Sequence, residues 1–389
     1  MTTTPERFTG RAVLLIAHVA GMIDLAALPV WVGAALIGQY HFSAPQAGAM
    51  VTAYLAAVVI ASLVFAPRFH RIAPHRAAPL GFAIAALAFI ALTRTNDWAT
   101  MTALHAVAGF GAGLGLSFTH GTIGRSAAPH RLFAIVNMGI GVVAIVFLGA
   151  AQGLLPKFGG ALLFVMFGGV MLLAALTSAL AFPRLGQSAN SVADDVARST
   201  QPIAPSVWWA IGGITLMAVN QAMVFSFVER IGAERGYGDR VLGVLIALGF
   251  VNLVPPVLAA LLERRLAAMR VGLGGALVQA TLALVVAFSA SFVPYALAAA
   301  VFVAVMIFTH TFVFGWLSLH DASGRAVALT PAMLMSGAAL GPIAGGGLVA
   351  AFGTSSLGIA AVLVDALALT CYWRAAGRSR TATPMALKA

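Results

Sequence analysis

The amino-acid sequence predicts an all-α membrane protein with twelve transmembrane helices in two pseudo-symmetric six-helix bundles. Three observations support this fold class: the composition, the length of the apolar runs and the near-equal halves of the chain. The 389 residues are 61% hydrophobic and only 8% charged, whereas about a quarter of the residues in a soluble domain are charged. So few charges cannot keep a surface of this size in water, so the expected solvent is the bilayer.

Twelve apolar runs approach the roughly 20 residues that a helix needs to cross the hydrocarbon core of a bilayer. Loop and turn residues separate them, as at Pro67-Arg68 and Pro156-Lys157. Two prolines fall inside the eleventh run, where neighbouring helices are expected to bond the freed carbonyl groups. The runs are 11–37, 44–66, 77–93, 99–123, 132–154, 160–182, 206–228, 241–262, 271–289, 293–318, 326–350 and 354–374.

The positions of Lys and Arg predict the orientation of the chain in the membrane. With a cytoplasmic N-terminus, 17 of the 22 basic residues lie in inside segments. The five in outside segments are Arg94, Lys157, Arg230, Arg235 and Arg240. We therefore expect a multi-pass protein of a bacterial inner membrane with both termini in the cytoplasm. Because the arginines are scattered between apolar runs, nucleic acid is not an expected partner.

The longest polar stretch between apolar runs divides the chain into two halves of six runs each. It is rich in Ser, Ala and Asp, which is typical of a flexible linker. We predict an N-terminal bundle at 1–182, a cytoplasmic linker at 183–205 and a C-terminal bundle at 206–389. The single cysteine, Cys371, excludes a multi-cysteine metal site, and neither a metal nor a cofactor is expected.

The two halves contain an internal repeat. Residues 71–76 (RIAPHR) and 265–270 (RLAAMR) both read Arg, aliphatic, Ala, two variable residues, Arg, at an offset of 194 residues. The same offset pairs Gly81 with Gly275. A repeat of this kind indicates two related bundles.

These motifs resemble the major facilitator superfamily over essentially the whole chain. Residues 66–75 are similar to the family signature G-x-x-x-D-R-x-G-R-R, with Arg71 at the position of its first Arg and with Ala66, His70 and Ala73 in place of the first Gly, the Asp and the second Gly. Residues 109–114 (GFGAGL) resemble the family's glycine-rich fourth helix. Residues 337–346 (GAALGPIAGG) match a G-x-x-x-G-P-x-x-G-G pattern that drug exporters of the family carry in span 5, whereas here it lies in span 11.

The resemblance implies alternating access, in which two bundles rock around a site near the bilayer midplane. It implies that spans 1, 4, 7 and 10 line the cavity most directly and that spans 3, 6, 9 and 12 lie outside it. The expected partners are a small organic solute, protons and membrane lipid, and we expect a monomer.

Only two of the eleven acidic residues, Asp24 and Asp365, lie deep in apolar runs. A carboxylate at this depth costs about 2.5 kcal/mol or more, so it usually faces a cavity. We hypothesise that Asp24, in the middle of span 1, binds the coupling proton or a cationic group of the substrate. The alternative is a hydrogen bond to a neighbouring helix. For Asp365, in span 12, a structural hydrogen bond or an oligomer contact is the preferred interpretation.

His310, in span 10, is the second candidate for proton coupling because imidazole titrates near physiological pH. It could relay protons with Asp24 or bind an anionic substrate, and a neutral histidine bonded to a carbonyl is the alternative. His18 lies about 240° around span 1 from Asp24, which predicts a structural role. His120 is a candidate for proton or substrate contact near the cytoplasmic side.

Further polar and aromatic residues are predicted to line the substrate site, with interhelical hydrogen bonding as the alternative for the amides. Together with Asp24 and His310 they are Trp31, His105, Asn137, Asn220, Gln221, Asn252 and Trp316. Four loop arginines are predicted to latch one conformation by pairing with helix C-termini or acids, unless they serve topology alone. These are Arg71, Arg76, Arg265 and Arg270.

The sequence as a whole predicts a proton-coupled secondary transporter of a small organic solute. The acid in span 1 and the lack of any Lys or Arg deep in a span favour export of amphipathic or cationic compounds by drug/proton antiport. The alternative is proton symport that imports a monocarboxylate or a neutral metabolite. A non-transporting sensor or a membrane enzyme would belong to another class, but the sequence contains neither H-E-x-x-H nor G-x-S-x-G.

Overall fold

A computed structural model of the protein describes residues 4–184, 202–238 and 240–381, and within these ranges the regular secondary structure is entirely helical. Most of the predicted linker, residues 185–201, therefore lies outside the described residues. Eleven of the described helices are long and apolar enough to cross a membrane. Large apolar side chains such as Leu87, Leu180 and Leu363 are exposed on them, as expected of a lipid-facing surface. The predicted all-α membrane fold is confirmed.

The chain forms two compact units, Met1–Gln201 with Ala322–Met335 and Pro202–Asp321 with Ser336–Ala389. We refer to them as unit 1 and unit 2. The helices of the first half are α1 (Phe8–Pro29), α2 (Ala44–Phe65), α3 (Pro74–Leu92), α4 (Trp98–Gly124), α5 (Pro129–Phe158) and α6 (Ala161–Ala181). A π-helical segment, Val30–Gln39, continues α1, and a 3-10 turn, Ala66–Arg68, follows α2.

The remaining described helices belong to the second half of the chain. They are α7 (Pro205–Phe225), α8 (Val228–Glu234), α9 (Arg240–Val251), α10 (Val254–Leu262), α11 (Ala268–Phe288), α12 (Phe292–His320), α13 (Arg325–Ala328), α14 (Thr330–Phe352) and α15 (Ser356–Thr381). The boundary between the two units falls within α14.

The predicted eighth span, 241–262, is not one continuous helix. It consists of α9 and α10, which are separated by Asn252 and Leu253. Pro255 and Pro256 open the second piece, and a proline has no backbone N–H to bond the carbonyl one turn earlier. The prediction of a single helix here is wrong because apolarity alone does not report this loss of two consecutive helical hydrogen bonds.

Small residues on α4 let three helices of unit 1 pack closely. A side chain at Gly109 would overlap the backbone carbonyl of Tyr54, and a Cβ at Gly113 would lie 2.7 Å from the carbonyl of Val58, both on α2. Two residues along, Gly111 meets α3 in the same way. The glycines at i and i+4 spacing therefore mark close helix contact, as small residues do in membrane helices generally.

The internal repeat is visible in the packing of each unit. In unit 1 a Cβ at Gly81 of α3 would lie 2.5 Å from the backbone nitrogen of Gly115 on α4. In unit 2 a Cβ at Gly275 of α11 would overlap the side chain of Thr309 on α12. Both partners of the second contact lie 194 residues after those of the first, so the same helix contact recurs at the offset found in the sequence.

The glycine motif at 337–346 is also a packing motif, on α14 in unit 2. Gly337 lies against the backbone of Ala218, and Gly341 lies against Ala222 on α7. Gly345, one further turn along, meets the carbonyl of Met223, where a Cβ would lie 3.0 Å away. The motif therefore holds α14 tightly against α7.

Replacing Gly109 with valine is expected to lower the free energy of unfolding by about 1–3 kcal/mol, because overpacking forces backbones apart. Gly153 is the matched control, since it also lies inside a membrane helix but has no heavy atom within 4 Å of the place that a Cβ would occupy. Thermal unfolding of purified protein in detergent measures both variants. Equal midpoints for Gly109→Val and Gly153→Val would contradict the packing role of Gly109.

Candidate functional site

Asp24 lies on α1 in the interior of unit 1, with only 1% of its surface exposed. Both of its carboxyl oxygens are buried, and no side chain in the described part of the chain donates a hydrogen bond to them. Tyr54 of α2 is near enough to interact electrostatically with the carboxyl group. Its buried hydroxyl likewise has no hydrogen-bond partner among the described residues. An acid and a phenol thus share an apolar interior without bonding to other side chains.

The backbone of the first span becomes irregular between one and two turns after Asp24. Pro29 ends α1, and the N–H of Val30 bonds to the carbonyl of Ala27 before the π-helical segment continues. Because a proline has no N–H, the carbonyl of Leu25 loses its regular helical partner. Single π-helical turns inside membrane or soluble helices often mark functional sites. The residue next to Asp24 therefore presents a backbone acceptor outside the regular helix pattern.

Trp31 and His105 form one hydrogen-bonded pair inside an aromatic cluster of unit 1. The carbonyl of Met101 lies 2.7 Å from His105 Nδ1, so this nitrogen carries the proton and donates. His105 Nε2 then accepts from Trp31 Nε1 at 3.3 Å. Tyr54, Phe89 and Phe167 pack around the indole ring. Both side chains are fully buried and satisfied, which supports a packing role, and their contact with substrate stays a prediction.

A second histidine pair links three helices of unit 1. His18 Nδ1 of α1 lies 2.9 Å from His120 Nε2 of α4, and His120 Nδ1 lies 2.5 Å from Thr330 Oγ1 of α14. The Thr330 hydroxyl donates to the carbonyl of Val327 at 2.7 Å, so it accepts from His120 Nδ1. For a neutral His120 this leaves His18 Nδ1 as the donor to His120 Nε2.

Sequence reasoning missed this chain of hydrogen bonds. His18 does not share a helix face with Asp24, which predicts only a structural role for it, and His120 is predicted separately as a proton or substrate contact. The two histidines are 102 residues apart, and nothing in a single sequence indicates that they pair. A useful signal was only that both are polar residues predicted to lie inside membrane spans.

In unit 2, Asp365 and Asn220 are both fully buried and bonded to each other. Asn220 Nδ2 of α7 donates to Asp365 Oδ2 of α15 at 2.6 Å. The preferred interpretation of Asp365 from the sequence is a structural hydrogen bond or an oligomer contact, and this bond between two helices is of the first kind. The contribution of Asn220 to substrate binding stays a prediction.

The remaining predicted site residues occupy separate environments. His310 is buried on α12 in unit 2 and packs against Phe314, with ring centroids 5.0 Å apart. Trp316 stacks on His320 with centroids 3.8 Å apart. Asn137 is buried on α5, and Gln221 is partly buried on α7. Asn252 lies in the break between α9 and α10.

Two cavities are outlined at the surface of unit 1, and neither is lined by Asp24. One lies among Pro5, Glu6, Arg11, Ser126, Ala127, Ala128, Arg131, Leu132 and Ile135. The other lies among Gln39, Tyr40, His41, Asn96, Gly159, Gly160 and Ala161. The carboxyl group is therefore enclosed by helices and does not border either of these cavities.

The four predicted gating arginines are exposed, and in the described ranges none of them forms an ion pair with an acid. Arg71 Nε instead donates to His70 Nε2 at 3.2 Å. Partial burial and the nearby positive charges of Arg71 and Arg325 lower the pKa of His70 below its ordinary value of 6.5. His70 is therefore neutral at pH 7, where the family signature has an acid. The latch role of Arg71, Arg76, Arg265 and Arg270 stays a prediction.

The sequence matches the model of a known protein family. A family model described as Major Facilitator Superfamily matches residues 14–322, which is well over half of the chain. The chain belongs to the Major Facilitator Superfamily. The proteins of this family are transporters rather than enzymes, so a membrane enzyme is set aside. No curated protein matches the sequence significantly.

Solved structures of the superfamily share the fold at low sequence identity. The human organic anion transporter MFSD10 (TETRAN) is 10% identical, with a TM-score of 0.74 over 96% of this chain and 100% of that one. The transporter FucP in the outward conformation is 16% identical, with a TM-score of 0.69 over 94% and 97%. The proton:xylose symporter XylE, bound to 6-bromo-6-deoxy-D-glucose, is 15% identical, with a TM-score of 0.69 over 94% and 95%.

The histidine chain makes a specific stability prediction. Thr330→Val removes the hydroxyl that accepts from His120 while keeping the shape of the side chain, so it should cost about 1–3 kcal/mol of unfolding free energy. Thr330→Ser keeps the hydroxyl and is the matched control. Chemical or thermal unfolding in detergent compares the two. If Thr330→Val is as stable as Thr330→Ser, the hydrogen bond carries no net stability.

Proposed function

We propose that this superfamily member is a proton-coupled transporter of small organic solutes and that Asp24 is its ion-binding group. The main support for this proposal is the carboxyl group of Asp24, which is fully buried on the first membrane helix. No side chain of the described residues neutralises its charge or forms a hydrogen bond with it. A carboxylate in this environment is unstable unless it takes up a proton or pairs with a cation. Asp24 can therefore bind either a proton or a cationic group of the solute.

Competition between the proton and the cationic group is the basis of the proposed coupling. When the proton leaves, the ionised carboxylate attracts a cationic group of a solute, and when the solute leaves, the carboxylate takes up a proton again. Because Asp24 is enclosed by helices, either exchange requires the helices to part, which is what alternating access provides. The π-helical segment supports this proposal, since it interrupts the regular helical pattern of the first span six residues after the acid.

Export of amphipathic or cationic compounds by antiport is the direction that we propose first. It rests on Asp24 as the one buried acid among the described residues of unit 1 and on the lack of any Lys or Arg deep in an apolar run of the sequence. Proton symport is the second candidate. It is favoured by two structural neighbours, which are named as a fucose:proton symporter from E. coli and a proton:xylose symporter.

The proposed setting is a bacterial inner membrane with both termini in the cytoplasm. The support is the excess of basic residues in alternate loops, which is the positive-inside pattern. We also propose that the transporter acts as a monomer. His310 is proposed as a second side chain that binds the coupling proton.

Inverted membrane vesicles with a pH-sensitive dye test the proposal. The lumen is first acidified by respiration, and then a panel of hydrophobic amines and a panel of monocarboxylates are added. Antiport predicts that amines make the lumen more alkaline, because each amine taken up releases a proton. Asp24→Asn should reduce this signal at least about tenfold, since the amide neither binds a proton nor carries charge.

Two further variants complete the transport experiment. Asp24→Glu keeps the carboxyl group and should retain part of the signal. Glu229→Gln removes an exposed carboxyl group at the start of α8 and should behave as the wild type. An Asp24→Asn protein that moves protons and amines at the wild-type rate would overturn the role of Asp24. A response to monocarboxylates alone would replace antiport by symport.

A further inference from the structure

We infer that unit 2 contains a binding site for a small monovalent cation, Na⁺, between α7, α11 and α15. Its ligands are the carboxylate of Asp365 and the amide oxygens of Asn220 and Gln279. This inference goes beyond the proposed function, because it concerns a different unit and a different ion from the proton site at Asp24.

The three side chains lie at one level of the helix bundle. Tyr372 of α15 packs against two glycines, where a Cβ at Gly213 of α7 or at Gly272 of α11 would come within 2.8 Å of its ring. Asn220, Gln279 and Asp365 are each seven residues from these three contact residues along their own helices. Seven residues are two helical turns, about 10.5 Å, and they return to the same helix face.

The directions of the helices agree with the placement of Asn220, Gln279 and Asp365 at the same depth in the bundle. Asn220 reaches Asp365, while Tyr372, two turns along α15, reaches Met217 Sδ at 3.4 Å. The α7 and α15 chains therefore run in opposite directions at this contact. Gln279 Nε2 donates to the carbonyl of Met217 at 3.3 Å, one turn of α7 from Asn220. The Gln279 amide thus contacts α7 within one turn of the hydrogen bond between Asn220 and Asp365.

The level contains an excess of buried oxygen acceptors. Asp365, Asn220 and Gln279 are each fully buried. One oxygen on each of them, Asp365 Oδ1, Asn220 Oδ1 and Gln279 Oε1, has no hydrogen-bond partner among the described residues. In the same ranges no Lys or Arg forms an ion pair with Asp365. Buried acceptors cost free energy unless a hydrogen-bond donor or a cation reaches them.

The orientation of the amides favours a cation over a proton. Gln279 Nε2 must face the Met217 carbonyl, which only accepts, so its oxygen points elsewhere. The NH₂ group of Asn220 faces Asp365, which is the orientation expected of an amide beside an ionised carboxylate. A proton on Asp365 would supply one donor for three acceptors, whereas one cation contacts all three. Hard oxygen ligands with a single negative charge suit a small monovalent cation.

Thermal unfolding of the purified full-length protein in detergent tests this site. The midpoint is measured at fixed pH and ionic strength while choline chloride is exchanged for NaCl, LiCl or KCl. We expect about 100 mM Na⁺ to raise the wild-type midpoint by about 2–4 °C, with a smaller effect of K⁺. Asp365→Asn and Gln279→Leu should each abolish the Na⁺ effect.

Asp24→Asn is the matched control, because it removes a fully buried acid from unit 1 and should keep the full Na⁺ shift. This control also separates the two proposals, since transport can fail at Asp24 while Na⁺ binding persists. If a variant in unit 2 does not fold, binding of radioactive Na⁺ to the wild type, with competition by Li⁺ and choline, replaces it. A wild-type midpoint that responds to pH but not to Na⁺, or a Na⁺ shift that survives in Asp365→Asn, would overturn the site.

Discussion

A polar group inside a membrane protein must find its partner within the protein, because lipid offers none. This constraint determines where the helices of the chain approach each other. Glycines on α4 and α14 bring backbones into direct contact, and hydrogen bonds between helices form in the interiors that result. The pairs Trp31–His105 and His18–His120 in unit 1, and Asn220–Asp365 in unit 2, all satisfy buried groups in this way.

Asp24 departs from this rule with both of its carboxyl oxygens, which is why it stands at the centre of the proposed function. Asp365 is equally buried but receives a hydrogen bond from an amide, whereas Asp24 receives none from a side chain of the described residues. Burying a carboxyl group without such hydrogen bonds costs free energy, so we expect Asp24 to have a function that compensates for this cost. Uptake and release of positive charge in a transport cycle provides such a reason.

The sequence predicts the fold well because the bilayer imposes a simple rule on length and apolarity. The helices and the offset of 194 residues follow from patterns along one chain, and the recurrence of the Gly81 contact at Gly275 agrees with that offset. The break in the eighth span does not follow from these patterns, because length and apolarity do not take account of the missing N–H groups of Pro255 and Pro256. Backbone hydrogen bonding, rather than hydropathy, decides that case.

The site is less accessible to prediction from sequence. The depth of Asp24 follows from its position in an apolar run, and the structure places it in an interior. Which side chains meet it depends on helix rotation and on contacts between residues far apart in sequence. For the same reason the sequence does not predict that Trp31 and His105, two candidates for the substrate site, form a pair within an aromatic cluster. The pairing of His18 with His120 likewise depends on packing and not on any local pattern.

The protonation of Asp24 itself can be measured directly. Infrared difference spectra of the purified transporter, recorded between acid and alkaline pH, detect the carbonyl stretch of a protonated carboxyl group. We expect a pH-dependent band that disappears in Asp24→Asn and remains in Asp365→Asn. A spectrum in which Asp24→Asn removes no pH-dependent carboxyl band would contradict the proposed role of Asp24, because the acid would then neither take up nor release a proton.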